Sequence, residues 1–307
     1  MRVRLLGLSL AGIDDHGYKQ DVGRDLLGRA GVSAQLELHL AGVFGVVRDG
    51  VRLADGSLRS RKARTLLKLL AVERARLVSV DRIAEVLWDG GLPVEPAQHV
   101  ATLVSRLRRA LGPDVIRGGR QGYQLGGGPG IVVDLDDAAR LTSQAERELE
   151  LAPALARTAA GRVVELLSPG VALAEEPYAA WAEPARQELR ELLRRARYAL
   201  AEAARATGDA HLAARVAGDA MVADSFDEGA HRLFMSACAA AGERAKALET
   251  YARLSSRLAE ELGADPAPVR MRTSLMVLRR SSVAASNFCA MCFSWQAGYV
   301  ILSLRGA

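Results

Sequence analysis

Arg106, Arg108 and Arg109 stand together in the stretch HVATLVSRLRRALG, and from Pro96 to Pro113 no Asp or Glu accompanies them. A guanidinium is a planar fork of donors that stays charged, so several of them without counter-acids suit phosphate or another polyanion. A solvated helix more often mixes both signs, because oppositely charged side chains four residues apart support it. The competing explanation is compositional. The whole chain is rich in arginine, and RLRR by itself is a weak signal.

Other residue types capable of chemistry form no convincing constellation. No G-x-x-x-x-G-K-[ST] phosphate loop occurs, and GGGPG at residues 126–130 lacks the lysine and reads as an interdomain linker. GLSLA at residues 7–11 fails the G-x-S-x-G elbow at its last position. The five histidines, His16, His39, His99, His211 and His231, are scattered without metal-type pairing. Carboxylate pairs such as Glu175-Glu176 and Glu260-Glu261 lie in charged surroundings and read as solvated faces. Cys289 and Cys292 form a C-x-x-C, but the only other cysteine is Cys238, so neither a four-ligand zinc site nor a thioredoxin-like context accompanies them. Three cysteines in 307 residues argue against a disulfide scaffold and fit a reducing cytosol. The expectation is a chain that is not an enzyme, without cofactor, metal or evident small-molecule substrate.

The arginines need an element to position them. Read as a helix, residues 96–111 place Val100, Val104, Leu107 and Leu111 on one apolar stripe. Gln98, Thr102, Ser105 and Arg109 then fall opposite, with Arg106 and Arg108 on the shoulders. Before this helix, SLRSRKARTLLKLLAVERARLV supplies another, with Leu66, Leu67, Leu69 and Leu70 inward. SVDRIAEVLWDG supplies a third, with Ser79 or Asp81 as its N-cap and Gly90-Gly91 as its stop. LELHLAGVFGVVRDGVRL carries a hairpin signal at Asp49-Gly50, and VIRGGRQGYQL reads as two strands about a glycine-rich turn. Trp88, Leu107 and Tyr123 read as core.

The order is sheet, helix, helix, helix, hairpin, the pattern of a winged helix-turn-helix. In that arrangement the third helix fits the major groove of a duplex and the hairpin wing reaches the neighbouring backbone or minor groove. Arg117 and Arg120 stand on the wing beside Gly118, Gly119 and Gly122, where guanidinium groups could follow a narrow groove. Charge supports the placement. Residues 36–125 hold 15 Lys and Arg against 9 Asp and Glu, whereas residues 126–280 hold 20 against 23. The basic surplus therefore lies in the segment with the arginine helix.

The motifs SRKARTLLKLL, LVSVDRIAEVLW, VSRLRRALG and GYQL resemble, in this order and spacing, the winged-helix domain of OmpR-type regulators. The variant is that of the antibiotic-regulatory-protein (SARP) class of actinobacterial activators. The resemblance implies that residues 96–111 are the recognition helix, with Arg106, Arg108 and Arg109 among its DNA contacts beside Gln98, Thr102 and Ser105, and Arg117 and Arg120 as auxiliaries. Ala101, Leu103 and the wing RGGRQGY depart from the usual pattern, so no base preference is carried over.

In the second half, GDAHLA from Gly208 and GERAKA from Gly242 share a Gly-acid-x-x-x-Ala signature, and their glycines lie 34 residues apart. That is the period of tetratricopeptide helix pairs; two helical hairpins with similar turns would look the same. YAAWAEPARQELRELLRRARYALAEAA, followed by AGERAKALETYARLSSRLAEELGADPAP, resembles the bacterial transcriptional activator domain of the same regulators. The resemblance implies contacts between protomers and with RNA polymerase, a homodimer on directly repeated half-sites in promoter DNA, and control of a secondary-metabolite cluster.

The expected fold is thus mainly α: a winged helix at residues 36–127, then an all-α, tetratricopeptide-like domain at residues 133–280. Residues 1–35 form an unassigned leader. It begins with two arginines and a short apolar run but shows no convincing cleavage site. Residues 281–307 are an unassigned tail whose apolar stretch, residues 288–304, is shorter than the roughly 20 residues a spanning helix wants. The expected location is the cytoplasm, on the nucleoid. Two other readings stay open: a helical-repeat scaffold that binds protein, and a regulator tethered to a membrane by its tail.

Overall fold

The computed structural model describes residues 36–266, apart from 55–57, 59, 75, 89, 128 and 129. The leader, the apolar tail and the Cys289–Cys292 pair lie outside the described residues. β1 (Leu36–His39), β2 (Gly45–Arg48) and β3 (Val51–Arg52) run as an antiparallel meander. Leu36 and Leu38 of β1 are buried, and the β2–β3 turn uses Asp49 and Gly50, both at positive φ, as expected for a two-residue hairpin.

α1 (Arg61–Glu73) starts at Ser60, whose hydroxyl accepts the Ala63 N–H, and buries Leu66, Leu67, Leu69 and Leu70. β4 (Val78–Ser79) leads into α2 (Val80–Leu87). Of the two candidate caps it is Ser79 that accepts a first-turn N–H, from Arg82, while Asp81 sits in that turn and complements the helix dipole. α3 (Pro96–Leu111) opens on Pro96 and is followed by Gly112 and a 3-10 turn at Pro113–Val115. β5 (Ile116–Gly119) and β6 (Gly122–Leu125) then form the wing, in a sheet ordered β4-β6-β5.

The glycine run expected as a linker is packed at its start. Gly126 is buried and donates its N–H to the Val115 carbonyl at 2.7 Å. The chain returns at once to the first sheet as β7 (Ile131–Val133), parallel to β1, giving the order β3-β2-β1-β7. The reason is hydrogen bonding: the outer edge of β1 would otherwise lack partners, and the Leu36 N–H donates to the Gly130 carbonyl at 2.9 Å.

α4 (Asp134–Glu148), α5 (Pro153–Leu166), α6 (Glu183–Ala206), α7 (Ala210–Ala223), α8 (Glu228–Ala240) and α9 (Arg244–Leu262) follow, each packed on the next. Gly208 and Gly242 close equivalent turns at φ +84° and +81°. Their neighbours donate back alike, Asp209 N–H to Ala204 and Glu243 N–H to Cys238, both at 2.8 Å. This matching pair is the physical content of the 34-residue spacing.

One hydrophobic cluster spans both halves, from Leu36 through Leu70, Leu107 and Leu135 to Leu233, and a second, with Met235, Cys238, Leu254 and Leu258, lies among the last helices described. Long-range polar contacts reinforce it. Asp134, 5% exposed, accepts the N–H groups of Leu40 and Ala41, both at 2.9 Å. Burial raises its pKa against the pull of these donors. The connection between α5 and α6 forms an arm onto the first sheet. Leu173 donates to Leu40, Ala174 donates to Gly42, and Ala41 bridges to Ala172.

Glu175 and Glu176, expected as a solvated pair, are the tip of this arm. Both engage the ammonium of Lys68, a residue of α1 only 3% exposed, and Glu175 also accepts the Phe44 N–H at 3.1 Å. A buried lysine requires compensating carboxylates, and no local sequence supplies them.

Candidate nucleic-acid interface

α3 buries Val100, Leu103, Val104, Leu107 and Leu111 against α1 and α2. Its outward face therefore carries Gln98, Thr102, Ser105, Arg106 and Arg109, all exposed. Together with Ala101 these five residues line one open, shallow depression along the helix. Arg106 and Arg109 have no hydrogen-bond or ion-pair partner among the described residues. Thr102 turns its hydroxyl onto the Gln98 carbonyl at 2.9 Å. Small side chains at Ala101, Thr102 and Ser105 leave room for a close approach.

The wing stands beside this face. β5 and β6 pair from Ile116 opposite Leu125 to Gly119 opposite Gly122, and β4 joins β6 through Val78 opposite Tyr123. Arg117 and Arg120 are exposed on it and also lack polar partners among the described residues. Tyr123 and Leu107 are core residues, 6% and 1% exposed. Trp88 is only half buried: Lys62 lies over its ring at 4.4 Å, and the His99 ring stands 6.1 Å away.

Arg108 differs from its neighbours. Its Nε donates to the Ile116 carbonyl at 2.9 Å and its Nη2 to the Gly118 carbonyl at 3.2 Å, so it is turned toward the wing. A helical-wheel projection puts it on a shoulder but has no knowledge of the hairpin that packs there. Arg48, which sequence reading passed over, donates from β2 to the Ala110 carbonyl at 3.0 Å, at the negative end of α3. Its signal was one more basic residue in a basic segment.

Among the described residues no group of three His, Cys, Asp or Glu side chains is placed to hold a metal ion. Cys238 is buried and free, and burial raises its pKa. His231 is buried with its Nδ1 3.0 Å from the Asp227 carbonyl. No helix among the described residues is long and apolar enough to cross a membrane.

Comparison with known proteins shows what the chain is similar to. A family model described as "Bacterial transcriptional activator domain" matches residues 133–278. The chain is 32% identical over 236 residues to the regulatory protein AfsR of Streptomyces coelicolor, an alignment covering 74% of this chain and 23% of that protein. To the regulatory protein AfsR of Streptomyces griseus it is 30% identical over 237 residues, with 76% and 23% covered. The chain thus spans about a quarter of the length of these relatives. The solved structure of Mycobacterium tuberculosis EmbR in complex with a low affinity phosphopeptide matches at a TM-score of 0.71 and 23% identity. The match covers 87% of this chain and 71% of that one, and it concerns the fold alone.

Proposed function

We propose that the chain is a transcriptional regulator of the antibiotic-regulatory-protein (SARP) class and that it binds duplex DNA through α3 and the wing. The observation that carries this is the set of four arginines, Arg106, Arg109, Arg117 and Arg120, that lack polar partners among the described residues and surround the open face of a helix whose other side is committed to core. In this reading α3 lies in a major groove. Gln98, Thr102 and Ser105 face base edges, Arg106 and Arg109 meet phosphates or guanine edges, and Arg117 and Arg120 follow the adjacent backbone or minor groove.

Two protomers would occupy directly repeated half-sites in a promoter, and contact with RNA polymerase would raise initiation at a secondary-metabolite cluster. The same reading places the protein in the cytoplasm, on the nucleoid. The test is a gel shift on the gene's own upstream region at two salt concentrations, with the unmodified chain and an Arg106→Ala, Arg109→Ala double variant. The expected result is weaker binding with a salt slope lower by about one per lost phosphate contact. Unchanged affinity and slope in a folded double variant would refute the role of the helix. Absence of any shift by the unmodified chain would favour a protein-binding scaffold.

A further inference from the structure

We infer that Arg108 is a positioning residue that clamps the wing to the recognition helix and is not one of the arginines that meet DNA; this rests on the reading of α3 and the wing as the DNA-binding elements. Three observations point the same way. Its guanidinium spends two donors on consecutive outward carbonyls of β5, those of Ile116 and Gly118. It lies 6.0 Å from the ring centroid of Tyr123, the buried residue through which β6 is joined to β4. And it is absent from the depression that Arg106 and Arg109 line, although it sits between them in register.

Gly118 is built for the same contact. It adopts φ +112°, and a Cβ there would sit 2.2 Å from the Gly122 carbonyl oxygen. Its carbonyl therefore meets Arg108 in a backbone geometry that only glycine supplies. From the opposite side, Arg48 holds the Ala110 carbonyl two residues further along α3. The last turn of the recognition helix is thus fastened to the first sheet by one arginine and to the wing by another. Since β5 carries Arg117 and leads into Arg120, the angle between helix and wing decides whether both sets of arginines reach one duplex together.

The chemistry demands arginine. A guanidinium offers several donors in one plane and reaches two carbonyls of a strand at once, whereas a lysine ammonium is a point charge that satisfies one well. An arginine that met phosphate would behave otherwise: lysine would restore most of its effect, and its loss would leave the wing of the free protein as it was.

The experiment uses the full chain with Arg108→Met and Arg108→Lys, each checked for a cooperative thermal melt. In the free protein, hydrogen exchange of the amides between Gly119 and Tyr123 is expected to quicken in both variants. In gel shifts, Arg120→Ala is expected to weaken binding about tenfold in the otherwise unmodified chain but less than about twofold in the Arg108→Met background. The Arg108 variants alone should bind more weakly, with a salt slope lowered by the wing contacts they release, and lysine should not rescue. Unchanged wing exchange overturns the inference without reference to DNA. So do rescue by lysine, and an Arg120→Ala effect of equal size in both backgrounds. If the unmodified chain fails to shift DNA, the functional reading falls and the exchange measurement alone decides the clamp.

Discussion

The ammonium of Lys68 lies 2.9 Å from Glu175 and 2.8 Å from Glu176, joining α1 of the N-terminal half to the arm between α5 and α6. Lys68 is 3% exposed, while the two glutamates are about a quarter exposed. Removing the cation leaves two carboxylates facing each other in a partly dry site, and breaking a buried pair from one side typically costs several kcal/mol. Lys68→Met is expected to lower unfolding stability by about 2–4 kcal/mol in urea melts. Adding Glu175→Gln and Glu176→Gln should restore part of the loss, because the stranded charges are then gone. Additive losses in the triple variant would contradict the ion-pair account.

The same cluster sets a pH dependence. Burial pushes the Glu175 carboxyl up, but the Lys68 hydrogen bond, two backbone N–H donors and the Lys68 charge together carry it below its ordinary value of 4.5. A carboxylate with a lowered pKa in the folded state contributes stability that is fully present above the unfolded value and is lost as pH falls through the folded one. Glu175→Gln should therefore be less stable than the parent at pH 7, and the gap should close as the pH falls below about 4.5. Asp134 works in the opposite sense: its pKa is raised, so its ionisation weighs against the fold as pH climbs. The difference between parent and variant, followed by urea melts across the acid range, isolates Glu175 from it.

Gly118 and Gly119 are neighbours in β5 with opposite tolerances. At Gly118 a Cβ would lie 2.2 Å from the Gly122 carbonyl oxygen with φ at +112°, whereas at Gly119 nothing lies within 4 Å. Gly118→Ala must open the hairpin or move its backbone and is expected to cost about 2 kcal/mol or more and, on the proposed function, to weaken DNA binding. Gly119→Ala should stay within about 0.5 kcal/mol of the parent. Thermal melts of the two variants, with gel shifts beside them, check both halves of the contrast.

What could be read in the sequence was local. Pro96 and Gly112 bracket α3, Ser79 caps α2, and the Gly208 and Gly242 turns repeat because each rests on residues within a few positions. The outward placement of Gln98, Thr102, Ser105 and Arg109 follows from 3.6 residues per turn alone. The arm was illegible for the opposite reason. Glu175 and Glu176 have no cation beside them in sequence, and their partner on α1 lies more than a hundred positions away. The carbonyl partners of Arg108 were illegible too, since a wheel shows which way a side chain leaves its helix and not which carbonyls await it. Likewise GGGPG has a linker's composition, yet the strand beyond it had an unpaired edge to fill.

Leu173 offers the sharpest check on the arm, because two costs compete at one residue. It is fully buried, at 0% exposure, and yet holds φ +52°, a left-handed conformation that costs a bulky residue roughly 1–2 kcal/mol. Leu173→Ala removes the packed side chain and keeps the backbone strain, so the full large-to-small loss of about 2–5 kcal/mol is expected. Leu173→Gly removes the same side chain and the strain with it, offset by the greater freedom of glycine in the unfolded chain. The glycine variant is therefore expected to be more stable than the alanine variant by up to about 1 kcal/mol, the reverse of the usual order. Urea melts of the pair decide it, and an alanine variant at or above the glycine variant would show that the left-handed turn at the tip of the arm carries no strain.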